Sequence, residues 1–271
     1  MKRLNIFIIL ICILSACKTS QHVSRDSSSP EQPYLLLPGG PAWGALYTQH
    51  AGEYRALCFQ AYQLAKMRLD VLLTRQTFRP IAIVTDIDET ILDNSPYSAG
   101  RALEGKEYSD ESWKVWTDKA SADTVPGGAS FFKYAASRGV TIYYISNRKT
   151  NEATATLKNL KSFGFPFADN EHLLLKSTTS SKADRRNEVS KKFEIVMLLG
   201  DNLADFADVF EGHKSTAERN AVVDSLRVQF GDKFIMLPNA MYGDWQNALI
   251  NYQYGAGMGQ RDSLLRARLV R

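Results

Sequence analysis

Three short segments of the chain carry clusters of carboxylate, hydroxyl and amide side chains. Their sequences are Asp-Ile-Asp-Glu-Thr at 86–90, Ser-Asn-Arg at 146–148 and Gly-Asp-Asn at 200–202. Each segment follows a short run of apolar, often β-branched residues, which is typical of a strand buried on both faces of a parallel sheet. Ligands of such sheets bind at the carboxyl ends of the strands, so we expect the three segments to meet at one site.

The first segment offers a nucleophile and a proton carrier. A carboxylate that attacks phosphorus forms an acyl-phosphate, which divides a difficult hydrolysis into two easier steps. We predict Asp86 as this nucleophile. We predict Asp88 as the general acid that protonates the leaving oxygen and then as the base that activates water. Because neighbouring carboxylates titrate as a coupled set, an acidic working pH would suit this role of Asp88.

Carboxylates gathered around a phosphate dianion repel it unless a hard cation neutralises them. We predict a magnesium site formed by Asp86, the backbone carbonyl of Asp88, and Asp201, since Mg²⁺ prefers oxygen ligands in a mostly monodentate arrangement. Asp205 lies one helical turn beyond Asp201, and we expect it to support the metal site.

The phosphoryl oxygens also need hydrogen-bond donors and a fixed positive charge. Ser146 and the backbone amides around Asn147 lie at the end of a predicted strand and can donate. The cation is predicted to be Lys182, which follows two serines suited to capping a helix. Lys176, directly after a leucine run, is the second candidate, and the sequence leaves the choice open.

The other polar residues of the first segment have simpler interpretations. We expect Glu89, Thr90 and Asp93 to make the hydrogen bonds that build the turn itself. For Asn94 and Arg148, contact with a substrate and bracing of the loops are equally good interpretations.

The segments are separated by apolar runs and by helical patterns that alternate along the chain. This alternation predicts a doubly wound, mostly parallel α/β sheet with helices on both faces. The predicted strands lie at 81–85, 141–145, 172–175, 195–199 and 234–237, and the predicted helices at 53–73, 129–137, 151–163, 180–192 and 217–230.

Residues 94–126 are rich in aromatic residues and interrupt this alternation. Connections this long usually carry a functional element. We therefore predict a smaller, mainly helical cap over the site, built from elements near 45–75 and 94–126. The residues after Tyr254 are rich in glycine and then in charge, so we expect 256–271 to be a poorly packed tail.

The N-terminus has the layout of a secretory signal peptide, with a basic start, an apolar run and small residues before Cys17. The sequence Leu-Ser-Ala-Cys resembles a bacterial lipobox, which implies acylation of Cys17; the alternative is an ordinary secretory signal with a chance cysteine. We predict a signal peptide at 1–16, a lipid-anchored flexible tether at 17–32 and a folded domain at 33–255.

The formal charge of the whole chain is +4, from 33 basic and 29 acidic side chains. Loss of Lys2 and Arg3 with the signal peptide would leave +2 and no long basic run, so we expect no nucleic-acid polymer as a partner. Of the three cysteines, only Cys58 would remain as a thiol, which excludes a disulfide framework. We expect Cys58 to be a small buried apolar residue.

Together these motifs resemble the haloacid dehalogenase (HAD) superfamily and, within it, the four-aspartate branch. The lipoprotein signal and the spacing resemble the class C acid phosphatases, bacterial lipoproteins that are nonspecific acid phosphatases or 5′-nucleotidases. The likeness extends from Glu53 to Leu249 and includes Leu-Pro-Asn-Ala-Met-Tyr-Gly-Asp-Trp at 237–245.

This resemblance implies a magnesium-dependent acid phosphatase that hydrolyses small phosphomonoesters, nucleoside monophosphates and aryl phosphates among them, at the bacterial cell envelope, with a lipid anchor in the outer membrane. It leaves a homodimer open. The four aspartates of the family correspond to Asp86, Asp88, Asp201 and Asp205, its hydroxyl to Ser146 and its lysine to Lys182. Its substrate-stacking aromatic residues would correspond to Tyr97, Trp113, Trp116 and Tyr242, although core packing is an equal interpretation of the two tryptophans.

Two other functions are compatible with the same motifs. One is a surface lipoprotein that binds haem or an adhesion target on a degenerate phosphatase fold, and the intact motif set argues against such degeneracy. An acceptor other than water would make the chain a phosphoryl transferase.

Overall fold

A computed structural model describes residues 36–270; the predicted signal peptide, Cys17 and the tether at 17–32 lie outside the described residues. Five parallel strands form the central sheet, and a two-stranded antiparallel pair lies apart from it. In chain order the strands are β1 Ile81–Thr85, β2 Leu92–Asp93, β3 Asp123–Thr124, β4 Thr141–Lys149, β5 Leu173–Lys176, β6 Glu194–Gly200 and β7 Phe234–Met236.

Helices connect and cover these strands. In chain order they are α1 Leu36–His50, α2 Gly52–Leu72, α3 Ser95–Leu103, α4 Asp110–Asp118, α5 Gly128–Ser137, α6 Ala153–Ser162, α7 Ala183–Lys192, α8 Thr216–Ser225, α9 Asp244–Leu249 and α10 Met258–Ala267.

The sheet has the strand order β5-β4-β1-β6-β7. The chain moves outward from β1 through β4 to β5 and then returns to the other side of β1 for β6 and β7. The order therefore reverses between β1 and β6, and a crevice for ligands forms at the carboxyl ends of strands flanking such a reversal.

Successive side chains of each strand point to opposite faces of the sheet. One face, with Ile83, Ile142 and Met197, is covered by α2, α5 and α6. The other face, with Val84 and Leu198, is covered by α7 and α8. Helices on both faces of a parallel sheet confirm the predicted fold class.

A mainly helical cap follows β1, as predicted, but its composition differs from the prediction. It contains α3, α4 and the β2–β3 pair, and α1 packs against α3. In contrast, α2 belongs to the core layer, because its buried residues, spaced three or four apart, face the sheet. Only part of the segment 45–75 therefore belongs to the cap. Cys58 lies on this buried side of α2 and is fully buried, as expected.

The prediction of a poorly packed tail at 256–271 is wrong for the residues that form α10. Leu265 of this helix is buried against Leu37 and Ile250. The Asp262 carboxylate is also buried and accepts a hydrogen bond from the backbone amide of Leu36. Gly257 is the N-cap residue of α10, and the helix that follows it packs apolar side chains against α1. Among residues 36–270, no helix has the length and hydrophobicity needed to cross a bilayer.

Candidate active site

Three carboxylates meet between the ends of β1 and β6. Asp86 directly follows β1 and Asp201 directly follows β6, and the Asp86 amide donates to the Leu199 carbonyl at 2.9 Å. Asp205 lies on a short 3₁₀ turn after β6. One ligand oxygen from each of the three residues lies within 4.8 Å of the other two. The structure thus brings Asp86, Asp201 and Asp205 together.

Gly200 allows Asp205 to approach this cluster. A Cβ atom at Gly200 would collide with the side chain of Asp205. The Asp205 carboxylate then accepts a hydrogen bond from the Asn202 amide at 2.9 Å, which holds the turn.

Lys182 lies between two of the carboxylates. Its Nζ atom is 2.6 Å from Asp205 Oδ1 and also donates to Asp86 Oδ1. Burial alone would lower the pKa of Lys182, but Asp205 and Asp86 outweigh burial and raise it, so the ammonium stays charged. Lys176 instead ends β5 and does not line the cavity that contains Asp86. The structure therefore places Lys182, and not Lys176, beside the predicted nucleophile.

The carboxylate cluster fits a divalent cation. Burial raises the pKa of Asp86 to about 7; the Lys182 ammonium opposes this rise, and the charges of Asp205 and Asp88 add to it. Burial, and then the charges of Asp205 and Asp86, hold the pKa of Asp201 well above its usual range. The negative charge of each carboxylate thus disfavours ionisation of its neighbours. A hard cation bound by their oxygens would relieve this repulsion.

The side chain of Asp88 lies outside this cluster and is held by Arg148. Arg148 Nη2 and Nε lie 2.8 and 3.0 Å from Asp88 Oδ1. Asn94 Nδ2 donates to the same oxygen at 2.9 Å, and Ser146 Oγ lies 3.4 Å from Asp88 Oδ2. Asn94 and Arg148 thus brace the predicted acid/base, Asp88, and contact of either residue with a substrate stays a prediction.

Ser146 and Arg148 face Asp88 together because they lie two apart on β4. The Ser146 hydroxyl also accepts a hydrogen bond from the Arg148 amide at 3.1 Å. Asn147, on the opposite side of the strand, accepts a 2.7 Å hydrogen bond from Arg185 and lines the cavity. The phosphate-binding roles of Ser146, Asn147 and Lys182 stay predictions.

Two residues that hold Asp201 were not predicted. Thr90 Oγ1 donates to Asp201 Oδ1 at 3.1 Å, although we expected Thr90 only to build its turn. Asn239 Nδ2 donates to Asp201 Oδ2 at 2.8 Å. The sequence contained one signal for Asn239: it is a polar residue that follows the end of a predicted strand, as Asp201 does.

Glu89 and Asp93 make turn hydrogen bonds, as expected. Asp93 Oδ1 accepts from the Ser95 amide at 2.7 Å. Glu89 has a φ of 56°, in the left-handed region, and its carboxylate accepts from the Asn94 amide at 2.8 Å and from the Tyr242 hydroxyl. Burial, reinforced by Asp88 and Asp201, raises the pKa of Glu89 well above its usual range.

A cavity of about 660 Å³ lies next to the carboxylate cluster, and Asp86, Asp88, Arg148 and Lys182 are among the residues that line it. An aromatic cluster of Tyr97, Tyr108 and Trp113 lies in its wall. The ring centroids of Tyr97 and Trp113 are 5.0 Å apart, in an edge-to-face arrangement, and the Tyr108 centroid is 6.1 Å from Trp113. Tyr242 also lines the cavity. Tyr108 was not among the predicted stacking residues.

Trp116, predicted as a stacking residue, does not line this cavity. Its indole packs against the main core, and its Nε1 donates to Asn94 Oδ1 at 2.8 Å. Trp113 and Trp116 lie on one helix, but only Trp113 faces the cavity. The structure places the Trp116 ring in the core and outside the cavity, which contradicts the stacking interpretation for this residue.

The chain resembles known phosphatases in sequence and in structure. Residues 43–245 match the family model described as HAD superfamily, subfamily IIIB (acid phosphatase). The class C acid phosphatase from Bacillus anthracis is 43% identical, with a TM-score of 0.82, over 86% of this chain and 98% of that one. A structure of the Bacillus anthracis class C acid phosphatase with tungstate bound is also 43% identical, with a TM-score of 0.84, over 88% and 99% of the two chains.

Two plant proteins are more distant relatives. The stem 31 kDa glycoprotein of Glycine max is 27% identical over 136 residues, which are 48% of this chain and 54% of the relative. Acid phosphatase 1 of Solanum lycopersicum is 26% identical over 130 residues, 45% and 50% of the two chains. The chain spans about half the length of these plant relatives.

The family model covers most of the chain. The two Bacillus anthracis structures superpose on this chain over nearly their whole length. The resemblance proposed from the motifs is thereby confirmed, and with it the class of enzyme, a phosphomonoester hydrolase. The chain belongs to the subfamily IIIB acid phosphatases of the HAD superfamily.

Proposed function

We propose that the chain is a magnesium-dependent acid phosphatase that hydrolyses phosphomonoesters through an aspartyl-phosphate on Asp86. The main support for the proposal is that Asp86 and Asp88, two carboxylates of one loop, have different neighbours. Asp86 contacts Lys182 within the acidic cluster, whereas Asp88 is held outside it by Arg148 and Asn94. Carboxylates with separate environments can take separate roles, one as nucleophile and one as acid/base.

In the first step Asp86 attacks phosphorus, and the bond to the leaving oxygen breaks as Asp88 gives that oxygen a proton. In the second step Asp88 takes a proton from water, which attacks phosphorus and releases Asp86 with inorganic phosphate. Lys182 and Ser146 hold the phosphoryl oxygens. Arg148 keeps the Asp88 carboxyl directed at the cavity.

Asp86 and Asp201, with the backbone carbonyl of Asp88 and the support of Asp205, would hold the Mg²⁺ ion. When bound, the ion supplies neutralising charge and polarises a phosphoryl oxygen. The related Bacillus anthracis enzyme with tungstate bound supports an oxyanion site, since tungstate is a tetrahedral oxyanion like phosphate.

The aromatic wall of Tyr97, Tyr108 and Trp113 favours substrates with a flat ring next to the phosphate. We propose nucleoside monophosphates and aryl phosphates. A substrate panel tests this choice: kcat/KM for these two classes should exceed kcat/KM for glycerol phosphate and sugar phosphates. Equal values across the panel would contradict it.

The mechanism is tested by two variants and a control. Asp86→Asn should lower kcat by at least about 10³-fold, because it removes the nucleophile. Asp88→Asn should lower the hydrolysis of alkyl phosphates roughly 10²- to 10⁴-fold. It should affect nitrophenyl phosphate less, because that leaving group needs little protonation. The control is Asp118→Asn, at an exposed position of α4.

Rapid quenching with acid should trap phosphate on wild-type protein during turnover and none on Asp86→Asn protein. Activity retained by Asp86→Asn would refute the mechanism. Activity lost with EDTA should return with Mg²⁺. Methanol added as an acceptor should yield little methyl phosphate; a high yield would indicate phosphoryl transfer instead of hydrolysis.

We also propose that the chain is anchored in the bacterial envelope through Cys17. The proposal is supported by the signal-like residues before Cys17. In cells, Cys17→Ser should move the protein from the membrane fraction to the soluble fraction and abolish incorporation of labelled palmitate. Unchanged fractionation and labelling would contradict the anchor.

A further inference from the structure

The start of α7 carries three cationic side chains. Lys182 is the N-cap residue of the helix, and Arg185 and Arg186 follow three and four residues later, so the three project from one side of α7. Positive charges are disfavoured at the start of a helix, where the helix dipole is itself positive, and like charges at this spacing repel one another. A local arrangement that costs stability in this way is expected at functional sites.

The Arg185 guanidinium holds the middle of β4. Its Nη1 atom donates to the Ser146 carbonyl at 2.6 Å, and its Nη2 atom donates to Asn147 Oδ1 at 2.7 Å and to the Ser181 carbonyl at 2.9 Å. The pairing of β4 with β5 is irregular between Ser146 and Lys149, and the guanidinium supplies a donor at this interruption of the strand ladder. Arg185 therefore ties Ser146 and Asn147 to the loop that precedes α7.

The Arg186 guanidinium holds the turn after β6 instead. Its Nη1 atom donates to the carbonyls of Ala204 and Asp205, at 3.1 Å each, and its Nη2 atom donates to the Asp208 carboxylate. Arg186 is buried, with 8% of its surface exposed. Because these acceptors lie on and just beyond the 3₁₀ turn that contains Asp205, Arg186 fixes this turn against α7.

The three cations thus bind three different sets of acceptors. Lys182 contacts the carboxylates of Asp86 and Asp205, between the segments that the two arginines hold. Arginine presents several donors in one rigid plane, whereas lysine presents a single ammonium. Arg185 and Arg186 each use two nitrogens to bind more than one acceptor, which is the geometry that positions a backbone segment.

We propose that Arg185 and Arg186 are positioning residues with separate tasks. Arg185 positions Ser146 and Asn147 for binding of the phosphoryl group, and Arg186 positions Asp205 beside the metal site. The inference rests on the proposed function, in which Ser146 holds a phosphoryl oxygen and Asp205 supports the Mg²⁺ ligands. Neither arginine lines the catalytic cavity, so each acts through the residues that it holds.

Titration calorimetry on the full protein measures the two tasks separately. Binding of inorganic phosphate is measured at saturating Mg²⁺, and binding of Mg²⁺ is measured without phosphate. Arg185→Met should raise the Kd of phosphate about tenfold, as expected for a loosened set of hydrogen-bond donors, and change the Kd of Mg²⁺ much less. Arg186→Met should raise the Kd of Mg²⁺ about 10- to 100-fold and change the Kd of phosphate much less. Lys192→Met, at an exposed position at the end of α7, is the control and should change neither constant.

The variants Arg185→Lys and Arg186→Lys keep the charge but lose the second nitrogen, so each should show the pattern of its methionine variant. They also decide the question if a methionine variant fails to fold. Equal changes in both constants, no change in either, or wild-type binding by the lysine variants would each overturn the inference. Failure of the proposed function is recognised separately, by activity retained in Asp86→Asn, a variant that keeps both arginines.

Discussion

Arg148 holds Asp88 through two nitrogens of one guanidinium group, with Nη2 and Nε 2.8 and 3.0 Å from Asp88 Oδ1. The third nitrogen, Nη1, donates to Thr156 Oγ1 at 3.1 Å, so α6 fixes the arginine in turn. Burial alone would lower the pKa of Arg148, but Asp88 outweighs burial and raises it. A charged and fully braced arginine therefore sets the orientation of the predicted acid/base.

We predict that Arg148→Met lowers kcat roughly 10²-fold, the cost of misplacing a catalytic group by about 1 Å. KM should change much less, because the aromatic wall remains. Arg148→Lys should restore little of the rate, since lysine cannot supply two parallel donors. Steady-state kinetics with nitrophenyl phosphate measure both constants, and Arg138→Met, at an exposed position, is the control. A rise in KM at constant kcat would instead show that Arg148 binds the substrate.

A second prediction concerns Asn239, which donates to Asp201 Oδ2 at 2.8 Å. Groups that orient a metal ligand typically change metal affinity about 10- to 100-fold when removed. Asn239→Ala should therefore raise the Mg²⁺ concentration for half-maximal activity about tenfold, while kcat at saturating Mg²⁺ stays closer to wild type. Asn187→Ala, at an exposed position of α7, is the control. An unchanged Mg²⁺ requirement would show that Asn239 does not orient a metal ligand.

The two tryptophans of α4 should have different roles. Trp113→Leu removes part of the aromatic wall and should raise KM for aryl phosphates several-fold, the equivalent of about 1 kcal/mol. Trp116→Phe keeps the core packing but removes the N–H that holds Asn94, so it should lower kcat and leave KM nearly unchanged. Comparison of nitrophenyl phosphate with glycerol phosphate separates the two effects. Similar kinetic changes in the two variants would argue against this division.

A fourth prediction concerns Asp262 of α10 and the pH dependence of stability. Burial alone would raise the pKa of Asp262, but hydrogen bonds from the Arg266 side chain and the Leu36 amide outweigh burial and lower it. A lowered pKa in the folded state contributes stability above the unfolded pKa of about 3.9, and this stability is lost as the pH falls through the folded pKa.

Asp262→Asn should therefore lower the Tm at neutral pH, and its difference from wild type should shrink as the pH falls below about 4. Thermal unfolding followed by circular dichroism across this range measures the difference. A Tm difference that stays constant with pH would show that the charge of Asp262 does not stabilise α10. Asp224→Asn, at an exposed position of α8, is the control.

Much of the fold was predictable because it depends on local patterns. The apolar runs that end at Thr85 and Leu199 indicate buried strands directly, and their alternation with helices then implies a parallel sheet. Since parallel strands end at one edge, the meeting of Asp86 and Asp201 also follows from the sequence. The prediction was less accurate for α10, whose apolar side is short and gains its burial from α1.

Side-chain partners were decided only by the tertiary structure. Arg148 is 60 residues from Asp88, and Thr90 is 111 residues from Asp201. These pairs form because β1 lies between β4 and β6, an order that no local pattern encodes. The sequence by itself therefore determined which carboxylates could do chemistry. The order of the strands decided which polar side chain holds each of them, since hydrogen bonds require contact in space and not proximity along the chain.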